Sequence, residues 1–120
     1  MVDFCPNCWG EIRENTRTCP HCQYDLTRYS QLSYEEKLTL ALRHPIRENR
    51  MLAIQLLGDL RSNSAVPVFS SIIQEENNFY VIREIVRSLR RIGGEKSKEL
   101  LSALSKDRSK LVRDLMVENE

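Results

Sequence analysis

Cys5, Cys8, Cys19 and Cys22 are the chain's four cysteines, and they fall in two Cys-x-x-Cys pairs within CPNCWGEIRENTRTCPHC. Several chemistries use such pairs. A thioredoxin-like redox centre places its pair at the start of a helix in a βαβ setting, and neither pair here has that context. Two disulfides suit an exported mini-domain, but the opening MVDFCPNC lacks a basic start followed by an apolar core. A reducing, cytoplasmic compartment is therefore expected, where clustered cysteines bind metal more often than they pair. A catalytic zinc keeps one position open, whereas four thiolates close the shell. The spacing thus predicts one structural Zn²⁺ held by Cys5, Cys8, Cys19 and Cys22. Pro6 and Pro20 follow the first cysteine of each pair and preset φ for a tight turn. His21 lies between two ligands and is expected to point outward.

A second group is cationic. On a helical projection Arg83, Arg87, Arg90 and Arg91 fall on one flank. Lys96, Lys98, Lys106, Arg108, Lys110 and Arg113 follow, against Glu84, Glu95, Glu99 and Asp107. Clustered cations of this kind contact phosphates or simply line a solvated helix flank. The formal net charge of +1 and the lack of interleaved aromatics favour the solvated flank. No general acid/base arrangement stands out: Glu35, Glu36, Glu75 and Glu76 sit at helix ends, and His44 before Pro45 reads as a turn residue. Gly93 and Gly94 read as a helix stop rather than a phosphate loop. Trp9 and Phe4 are expected to cover the cysteine segment, with an exposed Trp9 offering a stacking platform.

Two kinds of chain must position these residues. Residues 1–29 hold every cysteine and show no helical period, and a segment that short needs a staple to fold. Residues 30–120 read as helix after helix. Ser33 with Glu36 forms a capping box for a helix to about Leu42, with Leu38, Ala41 and Leu42 on one face. A second helix, about Arg47 to Leu60, turns Leu52, Ala53, Leu56, Leu57 and Leu60 inward. A third carries Val66, Phe69, Ile72 and Ile73 to about Glu75. A fourth runs from about Phe79 to Ile92 on Ile82, Ile85, Val86 and Leu89. A fifth spans about Lys96 to Ser105 on Leu100, Leu101 and Leu104. The last, from about Ser109, shows Leu111, Val112, Leu115 and Met116. No run of eighteen apolar residues predicts a membrane span.

The helices repeat. NRMLAIQLLGDL, IREIVRSLRRIG and VRDLMVENE superpose with Arg50, Arg83 and Arg113 in register, at spacings of 33 and then 30 residues. Such a period marks an α-solenoid, in which each helix pair covers the apolar face of the next. The run HPIRENRMLAIQLLGDLRSNSAVPVFSSII resembles the HEAT repeat, in the short form found in phycobilisome lyases. The resemblance implies that the register arginines brace neighbouring turns through acids such as Asp107. The family's small residue is kept at Ala53 but becomes Val86 and Met116, and the glycine at Gly58 becomes an arginine in the next unit, so later units should pack differently. CPNC and CPHC, with Ile12 and Leu26 behind them, resemble a small prokaryotic zinc ribbon. That family commonly has glycine directly after each pair, where Trp9 and Gln23 stand here. If those positions need φ > 0, each costs on the order of 1 kcal/mol.

The expected fold is therefore a small N-terminal β zinc ribbon, residues 1–29, plus an all-α solenoid of about six HEAT-like helices, residues 30–120. The expected role is a non-enzymatic adaptor that binds a protein along the helical face. Nucleic-acid binding through residues 83–113 is the alternative, and a lyase-like role rests on the short-repeat resemblance alone. The final helix ends without a partner helix, so it is either a cap or an interface, including one between two copies of the chain.

Overall fold

The computed structural model describes residues 2–76, 78–106 and 110–115. Two compact units, Met1–Ala53 and Ile54–Glu120, divide the chain inside one helix.

In the first unit β1 (Val2–Phe4) pairs antiparallel with β2 (Glu11–Arg13), with Asp3 opposite Ile12. The first cysteine turn joins the two strands, and Thr18 bridges Asp25 across the second. A 3₁₀ turn follows at Leu26–Gln31. Asp25 caps it by accepting from the Thr27 N–H at 3.0 Å and the Thr27 hydroxyl at 2.6 Å. Those bonds hold the Asp25 carboxyl below its usual range. α1 (Tyr34–Ala41) starts on the predicted capping box: Ser33 Oγ accepts from Glu36 N and Glu36 Oε1 from Ser33 N, both at 3.1 Å. Leu38 and Leu42 are buried. The turn into α2 (Arg47–Asp59) is closed by side chains. His44 Nδ1 accepts from Ile46 N at 3.0 Å, and Arg50 Nη1 donates to the His44 and Pro45 carbonyls at 2.9 and 3.1 Å.

The second unit begins within α2 and continues through α3 (Val66–Glu75), α4 (Phe79–Ile92), α5 (Gly94–Leu104) and α6 (Lys110–Leu115). Six α-helices are thus present among the described residues, as the repeat pattern requires. α2 ends in a Schellman turn: Arg61 takes φ 53°, Ser62 N donates to Leu57 O and Arg61 N to Gly58 O. α4 starts on Asn78, whose Oδ1 accepts from Tyr80 N and Val81 N, and ends on Gly93 at φ 67°. α4 contacts α3, α5 and α6. Ile85 and Leu89 on α4 are fully buried, as are Leu57 and Phe69. A further cluster joins Ile82 and Val86 to Leu104, Val112 and Leu115, with Ile73, Phe79 and Leu101 against it.

Three leucines depart from the sequence reading. Leu52, Leu60 and Leu111 are 52%, 49% and 61% exposed. On α2 the inward stripe is Ala53, Ile54 and Leu57, narrower and rotated from the expected one. The cause is the close approach of α4. A Cβ on Gly58 would lie 2.6 Å from Ser88 Oγ and 2.7 Å from Arg91 Nη2, while Ser88 Oγ donates to Ile54 O at 2.7 Å. Small residues at the contact draw the backbones together, leaving the larger leucines outside the seam. Met116, together with Asp107, Arg108 and Ser109, lies outside the described residues.

Candidate metal centre

The two cysteine turns are copies of one another. Trp9 N donates to Cys5 O at 2.7 Å and Gln23 N to Cys19 O at 2.9 Å; Cys5 N donates to Gly10 O and Cys19 N to Tyr24 O. Inside each turn a backbone N–H points at the first sulfur: Asn7 N to Cys5 Sγ and His21 N to Cys19 Sγ, each 3.4 Å. Closing such a turn drives the residue after the second cysteine into the left-handed region. Trp9 sits there at φ 62° and Gln23 at φ 66°, the positions where ribbon proteins place glycine.

The result is a cluster of four sulfurs, all within 4.8 Å of one another. Cys5 and Cys22 Sγ are 3.7 Å apart, as are Cys8 and Cys19 Sγ. That is far beyond a disulfide bond of about 2.0 Å. A tetrahedron with metal–sulfur bonds of about 2.3 Å has edges of about 3.8 Å, so the donor set fits a four-thiolate metal site. Cys5 and Cys19 are fully buried. Crowded thiols do not ionise alike. Hydrogen bonding from the Asn7 amide, assisted by Tyr24 N–H, brings Cys22 down from 9.0 to about 6. Cys8 accepts a bond from the Gly10 backbone that favours its thiolate, yet desolvation and the neighbouring sulfurs push it up to about 12.

Two supporting residues were not legible from the cysteine spacing. Asn7 Nδ2 reaches Cys22 Sγ at 3.4 Å, across the site from its own turn. His21 points away from the sulfurs, as expected, and Nε2 donates to Glu11 O at 3.0 Å, tying the second turn to β2. Gly10 makes room for that ring, because a Cβ there would meet His21 Cδ2 at 2.9 Å. Trp9 is half-buried and packs on His44 with centroids 4.5 Å apart. Phe4, expected as cover, is 52% exposed. It lines a cleft of about 310 Å³ with Trp9, Ile12, Leu26 and Tyr29. His44 is the turn residue the sequence suggested, its Nδ1 engaged by Ile46 N.

The arginine flank is more committed than its helical projection shows. Arg87 pairs with Glu84 at 3.3 Å. Arg90 Nη2 donates to Leu115 O at 2.6 Å, securing the end of α6. Arg91 Nε meets Asp59 at 3.2 Å, and its Nη2 bonds Gln55 O and Ser88 Oγ at 3.2 and 3.1 Å. Arg83 lies over the Tyr80 ring, with Cζ 5.1 Å from the centroid. Among the register arginines, Arg50 braces a turn through carbonyls rather than an acid.

No helix among the described residues is long and apolar enough to cross a membrane. Comparison with curated proteins and with solved structures returned no match. Comparison with protein families matches HEAT repeats over residues 35–119, from the first turn of α1 through α6. The chain belongs to the HEAT-repeat family.

Proposed function

We propose that this protein is a non-enzymatic, cytoplasmic adaptor whose HEAT-like helices bind a protein partner and whose cysteine segment is folded around one structural Zn²⁺. The observation that carries the reading is the HEAT match over residues 35–119, since stacked helix pairs ordinarily present surfaces to other proteins. The cysteine geometry supports zinc: four thiolates at tetrahedral spacing leave no position for substrate. Bound there, Zn²⁺ would join the two turns and hold them, while Asn7 and His21 orient them. His44, Glu36 and Asp25 are each engaged in closing a turn or capping a helix.

Nucleic-acid binding through residues 83–113 draws on the same arginines, but Arg87, Arg90 and Arg91 already serve contacts within the unit. A lyase-like role follows only from the short-repeat resemblance, and a direct bilin-transfer assay is its test. Self-association through α6 has less to use than its sequence suggested. Val112 and Leu115 are buried in the core, and Leu111 is exposed.

Crosslinking of the full chain to proteins recovered with it, read by mass spectrometry, tests the adaptor reading. It predicts one partner crosslinked repeatedly to α4, α5 and α6 and forming a stoichiometric complex in sedimentation. A chain that sediments alone with every recovered protein, or that shifts a 20-nucleotide single strand at 150 mM salt, contradicts it.

A further inference from the structure

We infer that Tyr80 and Arg83 form a docking point for a carboxylate on an acidic segment of the partner protein. The inference rests on the adaptor reading and names its partner's chemistry. Of the four flank arginines, Arg83 alone has neither a hydrogen bond nor an ion pair among the described residues. Its Nε is buried and unpartnered, while Arg87, Arg90 and Arg91 are all engaged.

The repeat makes this contrast sharper. Arg50, one unit earlier, donates to the carbonyls of the turn ahead of its helix. The equivalent turn before α4 is closed without Arg83: Asn78 N donates to Glu76 Oε1 at 2.9 Å, and Asn78 Oδ1 caps Tyr80 and Val81. Arg83 is thereby released from the bracing role that its register assigns.

Its guanidinium lies over Tyr80, which is 55% exposed. The edge of Phe79 meets the Tyr80 ring with centroids 5.6 Å apart and planes at 73°, and Phe79 is itself packed on the α4–α6 cluster. The ring is therefore held by the core, and the cation resting on it has its orientation largely set. A guanidinium stacked by one face keeps its donors in the plane, the geometry that a carboxylate takes with two parallel bonds. Pairing at the Nη end, beyond the buried Nε, would give a counter-charge to a cation that has no acceptor among the described residues. Tyrosine and arginine are the residue types that most often dominate protein interfaces. A nucleic acid would need several phosphates neutralised together, and the neighbouring cation Arg87 is already paired with Glu84.

The test uses the full chain labelled with ¹⁵N, following arginine Nε–H resonances during titration with a blocked Glu-Asp-Glu-Leu-Glu peptide. The Gln/Asn counterpart of that peptide is the control, and a single-stranded 20-nucleotide DNA is the competing probe. The expected result is a saturable shift centred on Arg83. Arg83→Lys, which keeps charge and stem but loses the fork, weakens binding about tenfold, and Tyr80→Ala weakens it comparably. Lys98→Gln binds as the parent does. Far-UV circular dichroism of each variant matches the parent. No saturable binding, a shift confined to other arginines, equal binding by Arg83→Lys, or tighter binding of the DNA than of the peptide overturns the inference. A protein partner that binds the parent and Arg83→Lys equally leaves the adaptor reading standing and removes this one.

Discussion

The cysteine turns place Trp9 and Gln23 at φ 62° and 66°, whereas α4 ends on Gly93 at φ 67° with ψ −167°, a conformation open essentially to glycine alone. The two regions meet their backbone requirements under different constraints. In the helical unit, stability comes from burying Leu57, Phe69, Ile85 and Leu89, each term a few kcal/mol, and one left-handed residue, Arg61 at φ 53°, stands at the end of α2. In the cysteine unit a bound zinc would contribute about 10–16 kcal/mol, enough to offset two strained residues at about 1 kcal/mol each. A single large term would offset two such residues within one short segment, while many small apolar terms offset one, Arg61, at the end of α2. The same contrast explains the side chains around each. Asn7 and His21 serve the sulfurs and the strand, while Ser88 and Gly58 serve close helix packing.

Breaking the metal term should have the largest effect. Cys19→Ser removes a buried ligand and a strong chelator removes the ion, and either should unfold the strand pair and the Leu26–Gln31 turn. Trp9, the chain's one tryptophan, reports this by fluorescence, while helical circular dichroism is largely kept. A single joint melt of both signals would contradict two separately held regions. Next comes the apolar term. Leu89→Ala should cost about 2–5 kcal/mol in urea unfolding of the helical unit, leaving metal affinity unchanged. Gly58→Ala comes third, at about 1–3 kcal/mol, because its methyl would meet Ser88 2.6 Å away; an unchanged melting temperature would disprove the tight α2–α4 seam.

The pH dependence of metal binding follows from the two displaced thiols. Metal binding needs Cys8 as thiolate, and its raised value of about 12 means a proton must leave at any lower pH. Affinity should therefore rise about tenfold per pH unit from this group alone between pH 7 and 8. Cys22, lowered to about 6, adds its own proton only in more acid solution, so the dependence steepens there. A chelator competition that is flat over that interval would rule this out. The smallest effect sharpens the comparison most. Gln23→Gly should relieve the φ 66° strain and stabilise the metal-bound form by about 0.5–1 kcal/mol, whereas a loss of stability would mean that the glutamine side chain has a role of its own.

Much of this was legible in the sequence wherever a local rule decides the outcome. Ser33 and Glu36 name the start of α1, and the glycines at 93 and 94 name the end of α4. The four cysteines name their own site, since two short turns leave their sulfurs little choice of neighbour. What escaped the sequence depends on approach between elements. Leu52 and Leu60 carry the helical period but lie outside a seam narrowed by Gly58 and Ser88. A helical projection puts four arginines on one flank, yet it does not reveal that Arg90 reaches a carbonyl on α6 while Arg83 reaches none among the described residues. Asn7 looks like a turn residue until the second turn brings Cys22 to its amide.

The central claim is that four thiolates hold one metal ion and that this bond folds the amino-terminal region. X-ray absorption at the metal edge, on protein purified under reducing conditions and quantified for metal content, addresses it directly. The account predicts one zinc per chain with four sulfur neighbours at about 2.3 Å. Substoichiometric metal, iron in place of zinc, or a shell containing nitrogen or oxygen would contradict it.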